Sequence, residues 1–436
     1  MQSLHMDVYN RILKKELVAA MGCTEPIAIA YASAKAREVL GCMPKSCKVF
    51  CSGNIVKNVK GVTVPNSGGM KGIDVAATLG ILGGDASKDL EVLQSVTQNH
   101  IEQAKSLLND GFCTCALVPN VDNLYIKIVL KSDKDEASVE IRSYHKNITK
   151  IEKNGQVLFQ KESNCNEVII HDDPDKELLN IRDILKYGDA LEDEDIFSLL
   201  EHQLSCNLSI AEEGLSKPYG AQVGQVLMST VKNRDIHSAR TVAKAYAAAG
   251  SDARMNGCAM PVIINSGSGN QGLTVCLPVK VYADTYGIEY KRMLKSLAVS
   301  NLIAIHQKRY IGSLSAYCGA VSAACGAGAA IAYLLGEALQ FDELYRRVSD
   351  TVTNTIATVG GMVCDGAKSS CAAKIATAVD CAITGYELSS AGHVFHSGEG
   401  LVMDSVEDTI ESVGRMGREG MHTTDAEILH IMLGEE

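Results

Sequence analysis

Between Asp7 and Leu40 apolar positions recur at helical spacing. Tyr9, Ile12, Leu13, Leu17 and Ala20 share one face, Gly22-Cys-Thr-Glu-Pro26 interrupts, and the pattern resumes from Ile27. This predicts two helices, with Thr24 as N-cap of the second and Pro26 just inside it, where a missing N–H breaks no helical bond. Lys48–Ser52 and Gly61–Val64 read as short strands, and an apolar helix follows Gly72. From Cys113 to Phe159 the period becomes two, as in Leu124-Tyr-Ile-Lys-Ile-Val-Leu130, and Asn154-Gly155 marks a hairpin, so an antiparallel sheet is expected. Beyond the acidic stretch Asp172-Asp-Pro-Asp-Lys-Glu177 nearly every segment reads as helix, apart from a Gly-rich loop near Ser266. The pattern predicts an α+β fold: a smaller N-terminal lobe with an antiparallel sheet and helices (1–172), and a larger, mainly helical C-terminal lobe (173–436).

Ile311 to Gly336 carries no charge and is long enough to cross a bilayer. It consists mostly of Ala, Gly, Ser and Cys, which insert weakly but let helices approach closely, so a buried core helix is expected rather than a membrane span. The 436 residues are 46% hydrophobic, enough to fill sizeable cores. With 52 acidic against 41 basic residues the net charge is −11, which argues against a nucleic-acid partner. The expected partner is a small molecule, with neither nucleic acid nor membrane, and a homo-oligomer is compatible with the sequence. Met1-Gln-Ser-Leu-His-Met-Asp7 shows neither a basic leader nor an apolar signal core, so a cytoplasmic location is expected, where thiols stay reduced.

The fifteen cysteines are therefore thiols or metal ligands. Cys364 and Cys371 would stand roughly 10.5 Å apart along an unbroken helix, too far to share a metal centre comfortably. Asp365-Gly366 and Ser369-Ser370 interrupt helical propensity, so the segment can loop back and bring both to one centre. Cys318 and Cys325 share that spacing inside an Ala-rich run, so at most one of them can join. Cys318, near the helix start, gains thiolate stabilisation from the positive helix end, and Cys325 then fits as packing. Three thiolates on a four-iron cluster leave one iron open to substrate, whereas four usually make an electron carrier. A structural zinc site or plain core packing is the bland alternative for these three. Cys258, Cys276 and Cys381 read as packing residues, and His393 and His396 as solvated.

Six motifs appear in order: Gly22-Cys-Thr-Glu-Pro26, Val62-Thr-Val-Pro65, Ser251-Asp-Ala-Arg254, Asn265-Ser-Gly-Ser-Gly-Asn-Gln-Gly272, Leu314-Ser-Ala-Tyr-Cys318 and Gly361-Met-Val-Cys-Asp-Gly-Ala-Lys-Ser-Ser-Cys371. Over nearly its whole length the chain resembles the bacterial L-cysteine desulfidase family, which is related to the iron–sulfur L-serine dehydratases. The resemblance implies a carbon–sulfur lyase that removes sulfide from L-cysteine and leaves pyruvate and ammonia. It also implies a 4Fe-4S cluster with three protein ligands, Cys318, Cys364 and Cys371, and a proton acceptor at Cys23. The serine dehydratases space their last two cysteines more widely, which places this chain nearer the desulfidases. Cys23 stands just before the expected N-cap, where the helix dipole should lower its pKa and supply a thiolate near neutral pH. The alternative for Cys23 is an ordinary helix-junction thiol.

Gly267, Gly269 and Gly272 match the spacing of a dinucleotide fingerprint, but Pro278 and the alternation of Val275, Leu277 and Val279 read as strand where that fold needs a helix. As a rigid loop, Asn265, Ser266 and Asn270 are candidate donors to an amino acid's carboxylate, or simply a structural turn. Asn66, Ser67 and Gly68 offer a similar loop in the other lobe. Arg254 is a candidate bidentate clamp, or one half of an ordinary ion pair. Three function classes stay open: an iron–sulfur lyase for L-cysteine, L-serine or another β-substituted amino acid; a pyridoxal phosphate enzyme anchored on Lys71 or Lys368; and a non-catalytic iron–sulfur sensor.

Overall fold

The computed structural model describes residues 5–161, 173–312 and 314–434. Residues 1–4 and Asp172, on which the cytoplasmic reading and the lobe boundary partly rest, lie outside them. Among the described residues the strands are β1 (Ala19–Met21), β2 (Ser46–Cys51), β3 (Cys113–Leu117), β4 (Tyr125–Lys131), β5 (Glu136–Arg142), β6 (Ile148–Lys153), β7 (Gln156–Gln160) and β8 (Pro261–Ile263). The helices of the first part are α1 (Met6–Glu16), α2 (Thr24–Leu40), α3 (Gly53–Lys60), α4 (Ile73–Gly83) and α5 (Gln98–Asn109). The rest is dominated by α6 (Ile181–Ala190), α7 (Glu194–Ser216), α8 (Val223–Ser229), α9 (Ala239–Met255), α10 (Gly269–Tyr286), α11 (Tyr290–Ile311), α12 (Gly319–Leu335), α13 (Phe341–Val359), α14 (Cys371–Ser390), α15 (Val406–Arg415) and α16 (His422–Leu433). The fold is α+β, with its large sheet confined to the N-terminal part.

That sheet has the order β3-β2-β4-β5-β6-β7. Its inward rows, such as Cys51, Ile126 and Ile141, or Val49, Ile128 and Val139, lie in register and are buried, and α2 packs across β4 and β5. The Asn154-Gly155 hairpin joins β6 to β7 as the pattern predicts. One pair departs from the expected antiparallel sheet: β3 runs parallel to β2, because the chain returns through α3, α4 and α5 before adding it. Gly61–Val64 forms no strand; it is a loop held by a single bridge between Thr63 and Lys71.

A second sheet, only two strands, matters more for function. β1 pairs antiparallel with β8, Ala19 opposite Ile263 and Met21 opposite Pro261. The pairing sets Gly22-Cys23, at the exit of β1, beside the glycine loop that leads from β8 into α10. Any Cβ at Gly22, whose φ is +50°, would stand 2.1 Å from Pro65 Cγ, so only glycine allows this close crossing.

Two readings of the C-terminal part meet different outcomes. Ile311–Gly336 contains α12, whose Ala320–Leu334 stretch is buried throughout, and no described helix is long and apolar enough to cross a membrane. The segment around Val275 and Val279, by contrast, is helical: α10 runs through Pro278. It is buried on every side between α9, α11 and α12, so no polar face marks the helical period, and packing outweighs the weak helix propensity of Val and Pro.

Candidate active site

The chain places Cys318 and Cys364 side by side through backbone pairing. Tyr317 bridges Val363, the Cys318 N–H donates to Met362 O at 2.9 Å, and the Cys364 N–H donates to Ala316 O at 2.6 Å. Cys318 is the N-cap of α12 and Cys371 opens α14. The Asp365–Ser370 loop turns the chain back between the two later cysteines, as its composition predicts, with Cys371 Sγ 3.7 Å from Gly366 O. Donation from the Cys318 thiol, helped by the nearby ammonium groups of Lys57 and Lys308, draws the Cys364 thiol below its ordinary range. Cys318 is pushed up instead, by Cys364 first and then by burial, so the helix start does not make it the favoured thiolate. Burial also raises Cys371, with Cys364 adding to the shift.

Two buried lysines flank these thiols. Lys57 is 2% exposed, donates to Cys364 O at 3.3 Å and pairs with Asp425 of α16. Lys308, 7% exposed, has no carboxylate partner among the described residues, and burial pushes its ammonium down to about 8 against the pull of Cys364 and Cys318. A buried cation set beside thiols without an acid of its own fits an anionic thiolate centre.

Cys23 is 3% exposed and packs with Val62 and Met255, with Ala367 and Cys371 at the edge of the cluster. The proton-acceptor candidate and one thiol of the trio therefore share an apolar pocket. The expected N-cap moves by one residue: Cys23 itself caps α2, and Thr24 is the first helical residue. Its expected acidity is reversed as well. Burial first, then the Glu25 carboxylate, raises the Cys23 thiol well above its ordinary value, and the facing Arg254 only partly opposes this. Desolvation shifts a fully buried group by several units, whereas a helix end contributes about 0.3–1 kcal/mol, under one unit.

Cys23 Sγ donates to Glu25 Oε2 at 2.9 Å, and the Thr24 hydroxyl lies 3.1 Å from the same oxygen and 3.0 Å from Gly267 O. Asn58 donates to Glu25 Oε1 at 3.1 Å, and His145 Nε2 faces that oxygen at 3.9 Å. Burial alone would raise the Glu25 carboxyl, but His145 and the Cys23 thiol outweigh it and hold it at about 2. Glu25, His145, Ser268, Gln271, Lys308 and Ala316 line a cavity of about 870 Å³.

Around the start of α10 several buried polar atoms have no hydrogen-bond partner: Arg254 Nε, Asn270 Oδ1, Gln271 Oε1 and His145 Nε2. Such atoms are rare in folded proteins because each forfeits its hydration unless ordered water or a polar ligand meets it. Two glycines make room for these side chains. A Cβ at Gly269 would come within 2.3 Å of Arg254 Nε, and one at Gly319 within 2.7 Å of Gln271 Nε2. Arg254 is 2% exposed and forms no ion pair among the described residues, which removes the ordinary ion-pair alternative. Asn270 donates to Met255 Sδ at 3.7 Å.

Other candidates hydrogen-bond within the protein, and of these Ser266 also lines the cavity. Asn265 is fully buried and donates to Asn301 Oδ1 at 2.9 Å, while Ser266 Oγ donates to Asn265 Oδ1 at 2.9 Å. Asn66 donates to Leu93 O and Ser67 to Met70 O, both within their own neighbourhood. Lys71 is exposed, and Lys368 donates to Asp365 O and Gly366 O in the cysteine loop. His393 and His396 are exposed, and Cys258, Cys276 and Cys325 are buried. The sequence reading missed Glu25, His145, Gln271, Lys57 and Lys308. Glu25 and Gln271 stand inside motifs already singled out, but the other three come from distant segments with no local signal.

Asp252, in the Ser251-Asp-Ala-Arg254 motif, is fully buried, accepts from the Gly224 N–H at 2.9 Å through Oδ2 and leaves Oδ1 unpartnered. Burial raises its carboxyl from 3.8 to about 6. The folded state therefore holds this proton more tightly than the unfolded chain, so stability falls as pH rises from about 4 to 6, by up to about 3 kcal/mol. Asp252→Asn keeps the acceptor and removes the charge. It is expected to raise the thermal midpoint at pH 8 and to flatten the decline between pH 4 and 6, as thermal melts across that range will show.

Paired loops, buried cations and unpartnered polar atoms surround a group of thiols near the cavity. The chain belongs to the serine dehydratase alpha chain family, which matches residues 87–430 and whose description is that of a lyase. It is 49% identical over 423 residues to a UPF0597 protein of Lachnoclostridium phytofermentans, covering 97% of this chain and 98% of the relative. A UPF0597 protein of Finegoldia magna is 45% identical over 430 residues, covering 98% and 100%, and one of Treponema denticola 43% over 426 residues, covering 98% and 97%.

Proposed function

We propose that this chain is an iron–sulfur-dependent L-cysteine desulfidase, a β-elimination enzyme that releases sulfide, ammonia and pyruvate, with Cys318, Cys364 and Cys371 as the ligands of a 4Fe-4S cluster. The observation that supports the reading is the backbone pairing that sets Cys318 beside Cys364, next to the buried Lys57 and Lys308, with Cys371 at the edge of the apolar cluster that holds Cys23. Among the described residues no three His, Cys, Asp or Glu side chains stand close enough to grip a single ion. When bound, such a cluster supplies a Lewis acid with one open iron.

The chain's own residues do the rest. Arg254 is placed to hold the substrate carboxylate through a buried guanidinium with free donors, and Asn270 and Gln271 offer acceptors for its ammonium group. Met255, Val62 and Ala367 exclude water around Cys23. The Cys23 thiolate takes the α-proton, and its raised pKa makes it a stronger base than a helix-stabilised thiolate would be. The roles of Asn66, Ser67, Asn265 and Ser266 in this reading are to shape the two loops. A cytoplasmic setting suits a thiol-rich centre of this kind. A second reading, L-serine dehydratase, is favoured by the family description.

The test is anaerobic reconstitution with iron and sulfide, followed by assays of sulfide and pyruvate. Turnover of L-cysteine well above L-serine supports the proposal. The reverse order selects the dehydratase, and iron-loaded protein with no turnover on either would favour a sensor.

A further inference from the structure

Cys23 is 3% exposed and does not line the cavity, so solvent does not reach its sulfur to take up a proton. Glu25 connects the two. Its Oε2 accepts the Cys23 S–H at 2.9 Å, its Oε1 faces His145 Nε2 at 3.9 Å, and Glu25 and His145 both line the cavity. His145 sits in the turn between β5 and β6, with Nε2 free of any hydrogen bond. A Cβ at Gly267 would lie 3.6 Å from its Nδ1, so the glycine loop leaves that nitrogen open.

We propose that Glu25 and His145 form a proton relay that carries the Cys23 thiol proton to the departing β-substituent in the cavity. This rests on the lyase reading above, with Cys23 as α-proton acceptor. In the step, the S–H bond of Cys23 breaks as Glu25 passes a proton to His145 Nε2, and the carboxylate is left as it began. The Nδ1–H proton of His145 goes to the leaving group, which keeps the electron pair of its broken bond to Cβ. In the same event the Cys23 thiolate takes the substrate's α-proton, and the C–H electron pair forms the double bond as the Cβ–X bond breaks, so the thiol is restored and the sum is loss of neutral HX. Closing 3.9 Å to a hydrogen bond needs a shift of about 1 Å, within the tightening expected when substrate binds. Arg254 also faces Cys23, but it does not line the cavity. The competing account makes Glu25 a first-turn carboxylate that only stabilises α2.

Leaving-group dependence separates the two. His145→Gln and Glu25→Gln are compared with the wild-type chain after anaerobic reconstitution, on L-serine, L-cysteine and β-chloro-L-alanine. Hydroxide needs a proton to depart, sulfide needs it less, and chloride does not. His145→Gln is expected to lower kcat about 100-fold on L-serine but less than about 5-fold on β-chloro-L-alanine, with L-cysteine between and KM little changed. Added imidazole should restore part of the L-serine rate. Glu25→Gln, which also strands the thiol proton, should lower kcat on all three. An equal loss on all three amino acids in His145→Gln, or no loss on any, overturns the relay. If His145→Gln does not fold, His145→Asn carries the same comparison. A wild-type chain inactive on all three overturns the lyase reading itself.

Discussion

Replacing Cys364 by serine is expected to strip iron and acid-labile sulfide from anaerobically prepared protein and to lower turnover about 100-fold or more, since it removes a ligand outright where even losing a ligand's supporting hydrogen bond costs 10–100-fold. Cys364 has the strongest anionic bias of the trio, because Cys318 donates to it and two ammonium groups lie close. Its loop is held by the backbone bonds to Ala316 and by Lys57 on its carbonyl, neither of which uses the sulfur. The fold should therefore survive, with circular dichroism and the thermal midpoint near wild type. Cys325→Ala is the matched control: that thiol is buried in α12, where it meets Val352 O at 3.8 Å and the side chains of Gln307 and Thr355 rather than the trio, so its loss should leave iron in place. Iron at wild-type stoichiometry in Cys364→Ser would remove the ligand assignment.

Cys23→Ser should do the opposite, keeping iron while kcat falls by about 10²–10⁴, the usual worth of a positioned base. A hydroxyl fills the same space and can still donate to Glu25, but it is far harder to ionise. The contrast with a helix-stabilised thiolate is chemical. Burial and Glu25 make the Cys23 thiolate scarce but strongly basic, which suits removal of an unactivated α-proton. Iron analysis and steady-state rates on the same preparation decide the matter, and a Cys23→Ser enzyme that turns over at the wild-type rate would falsify the base assignment.

Much of the fold was legible in local pattern. The first helix as far as Glu16, the strands from Cys113 to Phe159 and the Asn154-Gly155 hairpin follow from period and turn chemistry, because each shows its buried face or its turn in its own residues, whereas Ala20, expected on the first helix's face, belongs to β1. Legibility fails where an element is buried all round. The α10 helix reads as strand because Val275, Leu277 and Val279 alternate and no polar face betrays the helix. The β2–β3 parallel pair was equally hidden, since neither strand records which neighbour it will meet.

The sequence by itself determined which residue types could do chemistry: three thiols in loop-prone segments, a cysteine at a helix start, and glycines where close approach is required. Only the tertiary structure decided what surrounds them. Lys57, Lys308, His145 and Gln271 come from segments hundreds of residues apart in places, and the β1–β8 pairing is what sets Cys23 beside the start of α10. Charge state followed the same division. A helix end is a local feature that can be read from sequence, but burial and the field of a neighbouring carboxylate depend on packing, and at Cys23 they are the larger effects.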